Sequence, residues 1–356
     1  MRSFPIPSNH RAIIYDKPGT ASVNLVTFET PKPGVGDVLM RLTHSGVCHS
    51  GWGVMTRGED ELGPPAQPGQ IGGHEGVGEV VALGPGTENA ELKLGHRVGN
   101  KWMARVCGGY FPCLANRDGC CSNGTISGYG EPGTFQEYAV APANYVTRIP
   151  DGLASELAAP LLCGVITVYA ALKKCDAEPG GLGHLALQIW GRGIGFHMIA
   201  VDYGDKGDFA AECGAESYID ISKYKTGSLQ LAAEVKKHTL NELGAAAVIV
   251  CTGANEAYAE AVSLVRFNGM VVCVGVPEGK PVPIATAFPA MLISQELRIV
   301  GSVVGNRADA TETMEMAARG VVKTRVAVQP MDALMDVFDK MNKRQLKGRI
   351  VLDLTV

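Results

Sequence analysis

The sequence predicts an α/β protein of two domains: a compact β-rich first half, and a second half built on a doubly wound parallel sheet. Three observations carry that prediction. The chain has 356 residues, which at roughly 150 residues per domain makes about two. Residues 1–155 alternate short β-type runs with Gly and Pro, and no long amphipathic helix interrupts them. From residue 156 the texture becomes short, nearly continuous apolar runs separated by helical patterns. Such runs suit strands buried on both faces of a parallel sheet.

In the first half Val38–Thr43, Gly76–Leu83, His96–Asn100 and Phe135–Pro142 read as strands bounded by turn residues. In the second, Phe196–Asp202, Ala246–Cys251, Gly269–Val276 and Leu297–Gly301 read as buried strands. Helical periodicity marks Leu182–Arg192, Lys206–Cys213, Gly227–His238, Glu256–Val265 and Ala308–Gly320. Right-handed βαβ units follow. Asp332–Met341 and Gly348–Leu354 form one more helix and strand. The expected division is therefore 1–155, with 320–356 returning to it, and 156–319.

Apolar residues make up 46% of the chain and charged residues 19%, enough to bury a sizeable core. The 45 glycines are well above a usual share of about 7%, and their scatter points to tight turns and close backbone approaches. A net charge of -4 offers no strong positive field, so neither a nucleic-acid nor a membrane partner is expected. MRSFPIPSNH contains no apolar signal core, and no run approaches the ~18 apolar residues of a membrane span. A cytoplasmic protein is expected, in which ten cysteines bind metal or do chemistry rather than form disulfides.

Three segments are chemically loaded: Gly46-Val47-Cys48-His49-Ser50, Gly73-His74-Glu75-Gly76-Val77-Gly78 and Leu162-Cys163-Gly164. Two thiolates and an imidazole make a Cys2His zinc site that leaves the fourth tetrahedral position open, as catalysis requires. Zn2+ there polarises an alcohol or carbonyl oxygen. Singly, each residue has a plainer reading as a small core hydrophobe or a hydrogen-bonded histidine; the combination is the signal.

With GVCHS, GGHEGVGEV, Lys101-Trp102-Met103, GTFQEYA, ITVYAALK, GGLGHLA, IAVD, GSVVGNRADA and LKGRIVLD in view, the chain resembles the zinc-dependent alcohol dehydrogenases of the medium-chain dehydrogenase/reductase superfamily. The likeness is to the microbial tetrameric type and runs over nearly the whole chain. It implies a GroES-like catalytic domain, a Rossmann-type NAD domain and a homo-oligomer. The implied reaction is hydride transfer between a small-molecule alcohol and NAD, giving an aldehyde or ketone. By the resemblance, Cys48, His74 and Cys163 are the catalytic zinc ligands and Glu75 is a carboxylate that can approach the metal. Ser50 passes the alcohol proton outward, His49 lies near the cofactor phosphates, and Trp102 lines the substrate pocket with Ser50.

The family's structural zinc lobe has the pattern C-x2-C-x2-C-x7-C. Here Cys107, Cys113 and Cys121 match the first, third and fourth positions, while Tyr110 stands at the second. Three thiolates and a phenol make a poor closed site, so a metal-free lobe with free thiols is the alternative. Cys120 substitutes only if the loop rearranges. Two further departures are Gly51, where the family has an Asp that orients the zinc-bound His, and Gly53, where many members have a relay His.

For the cofactor, Gly181-Leu182-Gly183 supplies a glycine-rich turn, and Asp202 ends the following strand. A carboxylate there accepts from the adenosine ribose and repels a 2'-phosphate, favouring NAD over NADP. By the resemblance, Lys206 helps hold that ribose, Val274 makes a backbone contact to the nicotinamide amide, and Arg349 contacts the pyrophosphate. The strand before Gly181 is missing: Cys175-Asp176-Ala177-Glu178-Pro179-Gly180 runs straight into the turn, about ten residues short. A stretch omitted from the sequence, a loss in a non-catalytic or repurposed relative, and a shift of Val165–Leu172 into the gap are the three explanations.

Overall fold

The computed structural model describes residues 5–57, 65–175, 187–192, 197–277, 280–343, 345–346 and 348–356. The chain divides into two units, Met1–Ile166 with Val304–Val356, and Thr167–Val303. The boundaries thus fall inside the expected ones. The helix Arg307–Ala318 goes with the first unit because its start is anchored there. Asn306 Nδ2 donates to the Asn116 carbonyl at 3.0 Å, the Arg307 N–H donates to Asp118 at 3.3 Å, and Ala310 packs with Met103, Tyr145 and Ile166.

The first unit carries β1 (Asn9–Tyr15), β2 (Val23–Glu29), β3 (Asp37–Val47), β4 (Gln70–Ile71), β5 (Gly76–Leu83), β6 (Arg97–Asn100), β7 (Met103–Arg105), β8 (Thr125–Ile126), β9 (Tyr138–Pro142) and β10 (Thr147–Arg148). β1, β2 and β4 form one sheet. The larger sheet has the order β10-β6-β5-β3, then the strand Arg349–Asp353 and its parallel neighbour Val326–Pro330, with β9 also on β3. β1, β2 and Val326–Pro330 escape the sequence pattern: β2 is exposed along much of its length and lacks an apolar stripe.

β3 is the hub. Val38, Leu39, Met40, Leu42 and Val47 on it are essentially inaccessible. All but Leu39, which packs with Val81 and Tyr138, join Tyr15, Met55, Phe135 and Phe338 in one core, where Phe338 meets Trp52 and Phe135 edge-on at 5.8 and 6.4 Å. The register of β3 also sets the site. Ser45 lies opposite Gly76, and Val47 opposite Ile350. The last turn of β3, the start of β5 and the start of Arg349–Asp353 therefore converge.

The second unit carries β11 (Ile199–Asp202), β12 (Ser217–Asp220), β13 (Ala245–Val250), β14 (Val265–Cys273) and β15 (Arg298–Gly301), all parallel to their neighbours; Val326–Pro330 and Arg349–Asp353 are β16 and β17. The helices Gly207–Cys213, Leu229–Lys237 and Asn255–Leu264 lie within about two residues of the expected ones. β14 starts before its apolar run because Val265 already pairs with Ala245 across a bulge. The sheet is Rossmann-type, yet among the described residues it falls into two pieces, β11-β12 and β13-β14-β15. In the order 3-2-1-4-5-6 these are strands 2 and 3, and strands 4 to 6. Among the described residues the break falls where the first strand of that order belongs. Ile199, Ile219, Val248, Val250 and Val271 nonetheless share one core.

Gly164–Leu172 is a helix with Val165 and Ile166 fully buried, so this segment does not shift into the gap. Gly181, Leu182 and Gly183 lie outside the described residues, as does the first part of the expected helix; Leu187–Arg192 is a π-helical turn.

Candidate active site

Each site residue sits at the boundary of a secondary-structure element. Cys48 follows β3 as an extended residue (φ -109°, ψ 146°) and heads helix α1 (His49–Thr56). His74 and Glu75 precede β5, entered through Gly73 at φ +91°, where a Cβ would run into the Phe135 ring and Thr134. Only glycine tolerates both the dihedral and the approach. Cys163 lies between the turn Ala159–Leu162 and the helix Gly164–Leu172.

These segments bring the donor atoms of Cys48, His74, Glu75 and Cys163 within 4.8 Å of one another, all four residues buried. The two sulfurs are 3.8 Å apart, and the edge of a tetrahedron with Zn–S of about 2.3 Å is about 3.8 Å. His74 Nε2 and Glu75 Oε2 are buried without a hydrogen-bond partner. Two orphaned buried polar atoms aimed at a thiol pair are costly, and a cation satisfies both. The donor set fits Zn2+.

Electrostatics agree. The Cys163 thiol, donating to Cys48, holds Cys48 well below the ordinary thiol value. That hydrogen bond and burial hold Cys163 well above it. Burial pushes the Glu75 carboxyl up to about 7, against the pull of Arg349. Arg349 Nη2 donates to Glu75 Oε1 at 2.5 Å. Glycine is required at Gly46 because a Cβ there would overlap Glu75 Oε2.

The other expected residues divide. Ser50 is exposed, with Oγ 3.6 Å from Cys48 Sγ. Trp102 meets the His74 ring edge-on at 4.7 Å. Arg349, expected at the pyrophosphate, spends one nitrogen on Glu75, a partner 274 residues away that no sequence spacing announces. It also lines, with His49, a surface cavity of about 230 Å³. Tyr15, which the sequence reading missed, is fully buried and donates to the Gly51 carbonyl at 3.2 Å. Its ring occupies space beside Gly51 and against Gly72. Nothing about an isolated Tyr in a strand signals that role.

On the cofactor side, Asp202 closes β11 opposite Asp220 of β12, at the carboxyl edge where open α/β sheets bind ligands. Its Oδ1 accepts from the Tyr203 N–H at 2.6 Å and from Lys206 Nζ at 2.8 Å. The half-exposed carboxylate suits ribose hydroxyls. The Val274 N–H is used by the Val250 carbonyl at 3.2 Å.

The second cysteine group also closes up: the donor atoms of Cys107, Cys113 and Cys121 lie within 4.8 Å of one another. Cys120 is exposed and outside the group. Backbone N–H groups, that of Gly109 first, hold Cys107 down to about 7.

A β-rich unit bearing a buried Cys2His donor set, on one chain with a Rossmann-type parallel sheet, has the parts of a metal-dependent nicotinamide oxidoreductase. The chain matches the Alcohol dehydrogenase GroES-like domain over residues 34–151 and the Zinc-binding dehydrogenase family over residues 181–319. It is 50% identical to alcohol dehydrogenase 2 of Emericella nidulans over 367 aligned positions covering 100% of both chains. It is 36% identical to the alcohol dehydrogenase of Schizosaccharomyces pombe over 97% of each. Among solved structures, the acetophenone reductase of Geotrichum candidum in complex with NAD matches at TM-score 0.83 and 27% identity over 98% of each chain. The chain belongs to the zinc-binding alcohol dehydrogenases of the medium-chain dehydrogenase/reductase superfamily. The alignment with the E. nidulans enzyme has 367 positions against 356 residues here.

Proposed function

We propose that this protein interconverts an alcohol with its aldehyde or ketone using NAD(H), with Cys48, His74 and Cys163 holding the catalytic zinc. When bound, Zn2+ supplies Lewis acidity at the substrate oxygen and NAD accepts or returns the hydride. Glu75 would balance the site's charge, and Arg349 beside it favours the ionised carboxylate against the effect of burial. Ser50, exposed beside Cys48, takes the proton leaving the substrate hydroxyl and hands it to water, since Gly51 and Gly53 supply no relay side chain. Trp102 screens the His74 side of the site from solvent. His49 and Arg349, lining one cavity, receive a cofactor phosphate, and Asp202 with Lys206 receives the ribose. By the family pattern, Gly181, Leu182 and Gly183 take part in holding the pyrophosphate.

The buried four-donor cluster with an unpartnered His74 Nε2 carries this reading. The comparisons lend no support to a non-catalytic relative. Elemental analysis with NADH titration tests the proposal: His74→Ala is expected to lose the catalytic zinc and the activity, and the parent to bind NADH. Full activity in a metal-free preparation overturns it.

Two finer points belong to the same proposal. The ten cysteines are all free thiols, which suits a reducing compartment such as the cytoplasm. Assembly as a homo-oligomer rests on family resemblance and is read by light scattering.

A further inference from the structure

We propose that Tyr15 is a positioning residue of the catalytic centre: its buried hydroxyl joins the segment carrying Cys48 to the segment carrying His74 and so fixes how these two ligands face each other. The inference rests on the reading above, that Cys48, His74 and Cys163 hold the zinc. It adds what keeps two of them in place when residue 51 is a glycine.

Tyr15 ends β1 with its backbone pinned on both sides. It pairs with Val23 of β2 and with Gln70 of β4, and its carbonyl accepts from the Gly69 N–H at 2.8 Å. β4 runs on through Gly72 and Gly73 to His74. The carbonyls of Ile71, Gly72 and Gly73 accept from the N–H groups of Gly133, Phe135 and Thr134 at 2.8, 2.9 and 3.1 Å. The Ser127 hydroxyl adds a second bond to the Gly73 carbonyl at 3.0 Å. The Tyr15 ring packs against this same segment, so closely that a Cβ at Gly72 would overlap its hydroxyl and ring edge.

From there the hydroxyl reaches the first turn of α1. It donates to the Gly51 carbonyl at 3.2 Å, and the Gly51 N–H donates to the Cys48 carbonyl at 3.0 Å. A Cβ at Gly51 would lie 3.6 Å from the same oxygen. The hydroxyl therefore stands where a side chain at position 51 would begin, and supplies from β1 the polar group that this glycine does not.

The chemistry of the hydroxyl agrees with that place. Burial holds the Tyr15 pKa well above the ordinary value; the Gly73 N–H eases that rise and the Cys48 thiolate adds to it. The oxygen keeps its proton for Gly51 and feels both ligand segments at once. A hydroxyl in an apolar core costs free energy unless it is paired. Were packing its sole task, a phenylalanine would fill the same space.

The experiment uses the full chain and compares the parent with Tyr15→Phe, which removes one oxygen and keeps the ring. Ile13→Val is the control, a buried methyl lost from the same strand and the same core. Zinc is measured by elemental analysis, its loss to a chelator is followed in time, and the ion missing from His74→Ala marks the one that belongs to this site. Tyr15→Phe is expected to lose that zinc faster by about tenfold or more, the usual worth of an outer-shell partner. The visible absorption of its cobalt-substituted form should also shift, because the ligands are turned. Ile13→Val lowers the urea midpoint of stripped protein and leaves both zinc loss and cobalt absorption as in the parent. Zinc loss from Tyr15→Phe as slow as the parent's, an unchanged cobalt spectrum, or equally fast loss from Ile13→Val overturns this inference alone. A parent that holds no zinc at this site overturns it together with the reading on which it rests.

Discussion

Arg349→Met is the most informative single change to the catalytic centre. Glu75 is fully inaccessible, and its carboxyl stands at about 7 even with Arg349 alongside. Removing the guanidinium leaves a buried carboxylate with no cation. Breaking a buried pair on one side costs about 3–5 kcal/mol. The Arg349 side chain keeps 22% exposure, so the lower end, about 3 kcal/mol, applies to chelator-stripped protein. Trp52 and Trp102 both sit in the first unit and report its unfolding by fluorescence. At an m-value of about 3 kcal/mol/M, the urea midpoint falls by about 1 M. With zinc loaded the loss is smaller, because the cation faces the same carboxylate. Glu75→Gln in the Arg349→Met background removes the stranded charge and recovers most of the midpoint. A stripped Arg349→Met protein within about 0.5 kcal/mol of its parent, the range of an ordinary surface change, refutes the reasoning. So does a double variant no better than the single.

Burial lowers Lys101 to about 7. Between that value and the ordinary Lys value the unfolded chain holds a proton that the folded chain has released, so this group makes stability rise with pH by about 1.4 kcal/mol per unit. Lys101→Met is expected to abolish that rise, read as urea midpoints at pH 7 and 9; parallel profiles for parent and variant refute it. Phe338→Ala empties the fully buried contact with Trp52 and Phe135 and should cost about 3–5 kcal/mol in denaturant unfolding; a loss within the about 0.5 kcal/mol of a surface change contradicts the packing. Asp202→Ser removes the carboxylate that closes β11 and is expected to raise relative use of NADPH over NADH by about tenfold or more. An unchanged ratio of kcat/KM for the two cofactors takes Asp202 out of the ribose site.

Much of the fold was legible because its strands are local patterns. Gly76–Leu83 reads as a strand from its apolar run and is one, residue for residue. Gly207–Cys213 could be bounded because Gly214 ends it in the left-handed region, φ 106°. The first-unit hairpin of β1 and β2 was not legible, since half its surface is wet and its pairing partner lies across a turn. At the site, the three candidate zinc ligands were found by residue type and family pattern. The Glu75–Arg349 pair was not, because only the register of β17 against β3 brings them together. The strand expected before Gly181 falls outside the described residues, and among these the sheet divides between β11-β12 and β13-β14-β15.

Cys48 and Cys163 meet although 115 positions separate them in the chain, and His74 comes from a segment between. An ion gripping all three acts as a buckle on a long belt. Fastening a loop of that length in an otherwise open chain costs about 4 kcal/mol of entropy, which the folded unit has already met by other means. Unfastening it frees the end of β3, the start of β5 and the head of the helix Gly164–Leu172 together. Shelf life of the purified enzyme should therefore follow its metal content, with heat and chelators acting as a single insult rather than two.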